Sequence, residues 1–374
     1  NNNNKPPMSS QESLSSAVSS AGFSAFAEAK LSLQETLASY QALNTGDDTK
    51  KFLETCFKYL PPAGQVNLSE DVSGCRNDEE LRQLAASIDT GLLRPLLSKG
   101  GKTPVISPSP RIGFDDSVED LNSRDITPAS RNNQGRLRRN CLRRDGYRCT
   151  ITRSWSSNHD FPPGEPTAIL QPVHILPSAL GSFTNNDERQ RTSQVWANIF
   201  SYFPSLRSTL NMSPEDVNRE DNIMMMISPL HEEFGLFHFV LEDTPTPNRY
   251  RIKLFPRFAS AYIPMLPSNR VITLTSHDHR FHLPEAKYLQ LHAAIGNILH
   301  ASGRAESIEK LIRDLEETGG SVLSKDGSTN ISDLLSVSHL SLLASNSQPT
   351  DSKQQQQRAR ARFPGTENEK PRLG

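Results

Sequence analysis

The chain has 374 residues, 35% of them hydrophobic, with 26 prolines; its 41 basic and 42 acidic side chains leave a formal net charge of −1. That length and low apolar fraction point to one domain with polar flanks rather than two full domains. No run of about 18 apolar residues is present to span a membrane, residues 1–10 lack the features of a signal peptide, and four cysteines do not make a disulfide framework, so an intracellular location, nuclear or cytoplasmic, is expected.

The first 23 residues are rich in Asn and Ser and are expected to be disordered. Residues 24–43 repeat apolar side chains near helical spacing (Phe26, Leu33, Leu37, Tyr40) and are read as a helix. A second helix is expected over 50–60, stopped by Pro61 and Pro62, and a third over 78–97, capped by Asn77 or Asp78. These form a small helical module over 24–97, followed by a Gly-, Pro- and Ser-rich linker over 98–130.

Residues 131–317 hold both tryptophans and most aromatics and are read as the main domain. A basic helix is expected over 136–145, ending at Gly146. Strands are expected over 149–152, 168–176 and 223–227, with a helix over 187–203 between the last two. Ser228 then reads as an N-cap followed by Pro229, opening a helix that ends at Gly235. A β-hairpin over 237–242 and 250–254, a strand over 271–275 and a helix over 284–300 complete the domain. Shorter helices are expected over 307–315 and 331–343, and residues 318–374 are mostly a disordered tail.

The charge is segregated. Residues 131–153 carry eight arginines and one aspartate, whereas 1–130 and 154–300 are net acidic. Five of those arginines (Arg136, Arg138, Arg139, Arg143, Arg144) fall on about two turns of the basic helix. Arginine pairs with phosphate bidentately, so the window points to nucleic acid despite the overall charge; a solvated helix face is the plainer alternative.

Three segments carry the chemistry: 141–152 (CLRRDGYRCTIT), Val173-His174-Ile175-Leu176-Pro177, and 221–235 (DNIMMMISPLHEEFG). In order they place a histidine at a strand end, an asparagine before a second strand, and a histidine in the first turn of a helix. The combination resembles the HNH (ββα-metal) nuclease motif, and more closely the HNH-endonuclease-like proteins common in fungi. The resemblance covers about residues 131–317.

That resemblance implies an α+β fold: a central HNH-like ββα-metal unit with added helices and a β-hairpin, the N-terminal helical module and disordered ends. It implies metal-dependent hydrolysis of DNA, with His174 as general base, Asn222 as the loop brace, and His231 as a ligand of a divalent metal (magnesium or manganese, or zinc on imidazole ligands). The basic helix would bring Arg138, Arg139, Arg143 and Arg144 to the phosphate backbone. Two positions depart from the usual pattern: Val173 stands where many HNH enzymes carry a further acidic residue or histidine, and Gly235 where many carry His, Asn or Asp. Glu232, Glu233 or Asp221 would have to substitute. A nuclease fold that binds nucleic acid or protein without hydrolysis is the alternative.

Cys141 and Cys149 are eight apart and are read as buried small residues rather than a zinc knuckle. His277, His279 and His282 are read as a polar loop or edge strand rather than a metal site.

Overall fold

The computed structural model describes residues 11–97, 106–123, 134–308 and 310, with side chains from residue 24 onward. The described residues fall within one compact unit, Asn1–Ile312. The expectations for residues 1–10, 311–315, 331–343 and 318–374 lie outside them. Among the described residues no helix is long and apolar enough to cross a membrane.

The chain opens with helices α1 (Gln11–Ala38), α2 (Thr49–Tyr59), α3 (Pro62–Gly74), α4 (Asp78–Ile88) and, after a π-turn over Asp89–Leu93, α5 (Arg94–Leu97). Asn77 is the cap of α4: its side-chain oxygen accepts the N–H of Glu80 at 3.0 Å. Pro61 and Pro62 do end α2, but they also begin α3, because proline is tolerated in the first helical turn where its missing N–H is not needed. The start of α3 packs closely on the end of the helix that carries Tyr202. A β-carbon at Gly64 would run into the carbonyl of Tyr202.

The 98–130 stretch contains a further helix, α6 (Phe114–Ser123), so the described part of this segment is packed structure and not a bare linker. Phe114, Val118 and Leu121 are its buried stripe. The N-terminal helices likewise share one core with the rest of the unit. Asn67 donates to the Ser201 carbonyl at 2.6 Å, the Tyr202 hydroxyl donates to Asp71 at 2.9 Å, and Arg304 pairs with Asp48 at 2.8 Å. Charged and polar anchors thus border an apolar contact.

Next come α7 (Gln134–Arg144), the short parallel pair β1 (Trp155–Ser156) and β2 (Thr167–Ala168), and β3 (Leu170–His174). Helices α8 (Asn186–Tyr202) and α9 (Ser205–Ser208) separate β3 from β4 (Ile223–Ile227), which pairs with it antiparallel, Leu170 opposite Ile227 and His174 opposite Ile223. Helix α10 (Ser228–Gly235) leaves β4 directly, giving a ββα unit. A three-stranded antiparallel sheet, β5 (Phe239–Asp243), β6 (Arg249–Leu254) and β7 (Val271–Thr273), and helix α11 (Ala286–Ala301) follow. Helices packed on small antiparallel sheets make this an α+β architecture.

Two local expectations are corrected. Residues 149–152 form a turn, not a strand. Cys149 donates its N–H to the Ser154 carbonyl and Arg153 returns one to Cys149, with Arg153 at a positive φ of 64°. Ser228 makes no side-chain cap on α10, which starts on Pro229 geometry alone.

β4 is buried along its whole length, so its backbone must be satisfied from both sides. On the side of β4 that faces away from β3, Met225 donates its N–H to Asp145 at 3.1 Å and accepts from the Thr150 N–H at 2.8 Å. Asp145 is held in turn by Arg144, whose guanidinium is fully buried and donates to both Asp145 oxygens at 2.7 and 3.0 Å. The same guanidinium reaches the carbonyls of Glu220 (2.5 Å), Ile223 (2.6 Å) and His282 (3.1 Å). Arg144 therefore has no access to a phosphate backbone, and its assignment as a nucleic-acid contact is withdrawn.

Arg144→Ala strands a buried carboxylate and three carbonyls. It is expected to cost about 3–5 kcal/mol of unfolding free energy in urea titration, whereas Arg139→Ala, on the exposed side of α7, should stay within about 0.5 kcal/mol of wild type.

Candidate active site

The ββα unit sets three side chains at the ends of its elements. His174 is the last residue of β3, Asn222 immediately precedes β4, and His231 lies in the first half of α10. The imidazole of His174 is hydrogen-bonded through Nε2 to Oδ1 of Asn218 at 3.0 Å. An amide oxygen can only accept, so in the neutral ring Nε2 carries the proton and Nδ1 keeps the lone pair. His231 is oriented the same way through its other nitrogen: Nδ1 meets Oε1 of Gln171, on β3, at 2.8 Å, which leaves Nε2 as the basic nitrogen.

Both rings are pushed toward the neutral form. Burial lowers the pKa of His174 below its ordinary value; the bond to Asn218 opposes this and the nearby His231 adds to it. Burial also lowers His231, with Glu232 opposing. Two neutral imidazoles at pH 7 follow, the state required of a proton acceptor or a ligand.

Asn222 is fully buried and spends its whole amide on backbone. Its oxygen accepts the Leu176 N–H at 2.8 Å, while its nitrogen donates to the carbonyls of Leu176 (2.9 Å) and Val217 (2.8 Å). It fastens the segment after β3 to the segment before β4, fixing the two ends between which His174 and Asn218 sit.

Two of the three carboxylates named for a metal site are engaged elsewhere, and the third points to solvent. Glu233 is buried against His238 at 3.0 Å and the N–H of Ala259 at 3.2 Å. Asp221 is paired with Arg219 at 2.7 Å. Glu232 is exposed. Val173 is buried in the core, and Gly235 offers no donor although a β-carbon there would meet nothing within 4 Å. Among the described residues no group of three or more His, Cys, Asp or Glu is placed to hold a metal ion. The donors near His174 and His231 are imidazoles and neutral amides, and this set does not fit magnesium or manganese, which favour carboxylate oxygens.

A family model described as HNH endonuclease matches residues 149–242. The matched segment runs from the 149–153 turn through β3, β4 and α10 into β5, so it encloses His174, Asn222 and His231. No curated protein and no solved structure matches the chain.

The expected arginines divide by position on α7. Arg144 is interior, as described above. Arg138 is half-buried and donates to the Leu170 carbonyl at 3.1 Å, bracing the start of β3. Arg139 and Arg143 are exposed. Gln171 and Asn218, the partners of the two histidines, carry no signal in the sequence: one stands 60 residues from His231 and the other 44 from His174.

Asn222→Ala removes three buried hydrogen bonds. It is expected to lower the unfolding free energy by roughly 1–3 kcal/mol, measured by denaturant titration. Asn222→Asp should not rescue it, because a carboxylate would face two carbonyls.

Proposed function

We propose that this chain is an HNH-type endonuclease that hydrolyses nucleic-acid phosphodiester bonds, with DNA as its substrate. The observation that carries the reading is the coincidence of the HNH endonuclease match with a ββα unit that presents two neutral, hydrogen-bonded imidazoles from a strand end and a helix start. In this reading His174 is the general base. Its Nδ1 takes a proton from a water molecule as the water oxygen forms a bond to phosphorus and the bond to the leaving sugar oxygen breaks. Asn218 fixes the tautomer and Asn222 fixes the loop that holds it.

His231 is assigned as the second imidazole at the reacting phosphate and is the residue of choice if a divalent ion joins the site. No step is routed through such an ion, because the donors present do not complete its shell. Arg139 and Arg143 supply exposed positive charge for the phosphate backbone.

That incomplete donor set favours a second reading, a nuclease fold that holds nucleic acid without cutting it. Plasmid nicking decides between them. Under the first reading His174→Ala loses about 10²-fold or more in rate; equal rates for wild type and variant sink it. The pH profile carries a further expectation. Because the His174 pKa is lowered, the base stays neutral below the ordinary histidine value, so activity should hold at pH 6.5 and fall only as pH drops further through the folded-state value.

Gly235→Asp tests the missing donor directly. The site has room for the side chain and no positive φ, and the new carboxylate would stand four residues after His231, on the same helix face. A manganese titration should show binding in Gly235→Asp that exceeds wild type and is lost when His231→Ala is added.

A further inference from the structure

Away from His174 and His231, an open cleft of about 850 Å³ lies between the C-terminal end of α7 and the loop over 277–280. Tyr147 and Trp155 line it together with Arg143 and Arg280. The family reading does not use this cleft. We infer that it is a binding site for unpaired nucleotides, in which Tyr147 and Trp155 stack on bases while Arg143 faces the backbone phosphate. The inference rests on the reading of nucleic acid as the partner.

The walls are fixed by local chemistry. Residues 147–148 pair with 155–156: Arg148 bridges Trp155 antiparallel, and Ser156 donates its N–H to the Tyr147 carbonyl at 2.7 Å. This puts the two aromatic side chains on one small hairpin. Each ring already leans on a partner, Tyr147 on the His159 ring at 3.5 Å between centroids and Trp155 under the Arg148 guanidinium at 4.0 Å. A stacked or cation-covered ring loses little freedom when a base settles on it.

The opposite wall is pinned to α7. His277 donates its N–H to the Arg144 carbonyl at 2.7 Å. Its ring sits so close to Gly146 that a β-carbon there would lie 2.6 Å from Cδ2, and Gly146 has a φ of 62°, so glycine is required on both counts.

The charge balance selects the ligand. Among the described residues Asp278 is the one carboxylate lining the cleft, and it is bound to Arg280 at 2.6 Å. Arg143 is left as exposed positive charge, with Arg148 behind Trp155. Planar rings interleaved with arginines match a strand of stacked bases with a phosphate between each. A duplex keeps its base faces covered, and an acidic peptide offers charge without planar rings. Neither uses both features of the cleft.

The test is binding, measured on the full chain in EDTA so that cleavage plays no part. Trp196 is fully buried in the core and Trp155 is half-exposed in the cleft, so quenching of tryptophan fluorescence by a short oligothymidylate reports the cleft. Oligothymidylate is expected to quench it and to bind more tightly than a blunt duplex of the same length. By anisotropy of a dye-labelled oligothymidylate, which does not need the Trp155 reporter, Trp155→Leu and Tyr147→Leu should each weaken single-strand binding about tenfold. Arg143→Gln, an exposed change that leaves folding intact, should weaken it several-fold. His174→Ala should leave it unchanged, so wild-type nicking by His174→Ala with this binding intact would fault the catalytic reading alone. Equal affinity for duplex and single strand, undiminished binding in the Tyr147, Trp155 and Arg143 variants, or equal competition by polyglutamate would overturn the inference.

Discussion

The guanidinium of Arg144 is sealed from solvent, yet it bonds to a carboxylate and to three carbonyls drawn from the segment before β4, from β4 itself and from the loop ahead of α11. Burial alone would make its charge costly; Asp145 outweighs that and holds the group ionised. Such a pair stabilises only when nearly every donor is used, and here they are. Asp145 also accepts the Met225 N–H, on the edge of β4 that faces away from β3. The ββα unit is thus secured by one ion pair that completes the edge of a buried strand.

The histidines obey a related constraint. Their neutral state comes mainly from burial, and their tautomers come from amide oxygens of Asn218 and Gln171. An amide acceptor orients an imidazole without adding charge, whereas a carboxylate in the same place would favour the protonated ring. The site is therefore built to keep two lone pairs available near neutral pH. The same choice of neutral partners leaves it poor in the anionic donors that a hard cation wants.

Much of this was legible in the chain. The ββα order followed from a strand-ending histidine, a short apolar run and a Pro-started helix, and the 239–254 hairpin followed from two apolar stretches around a Pro- and Asn-rich turn. The missed elements lacked the periodic signal. Helix α3 buries Gly64, Gln65 and Ser69 beside Leu68 and Val72, so its inward face reads as polar. Helix α6 is short and acidic and sits among Gly, Pro and Ser. Residues 149–152 have strand-like composition, but the backbone of Thr150 bonds across to Met225 and that of Cys149 to Ser154, and these long-range and turn bonds override it. In the site, the order of His174, Asn222 and His231 could be read, but Gln171 and Asn218 could not, because partners that only the fold brings together leave no trace in local spacing. Arg144 misled for the opposite reason: five arginines on one helix look alike until the fold buries one.

The arginine window consequently does two jobs. Arg144 and Arg138 serve the interior, holding β4 and β3 in place, while Arg139 and Arg143 remain in solvent and Arg148 lies on Trp155. Exposed charges act on a polyanion only within about a Debye length, near 10 Å at moderate salt, so the near-zero total says little about what meets the end of α7. That end is tied to β3 by short links: His277 bonds to the Arg144 carbonyl, the Arg144 guanidinium bonds to Ile223, and Ile223 faces His174 across the β3–β4 pair. A nucleic-acid strand held by the exposed arginines, as proposed above, would rest on the same rigid frame that positions His174, and the buried arginine is the part of the sequence that joins the two.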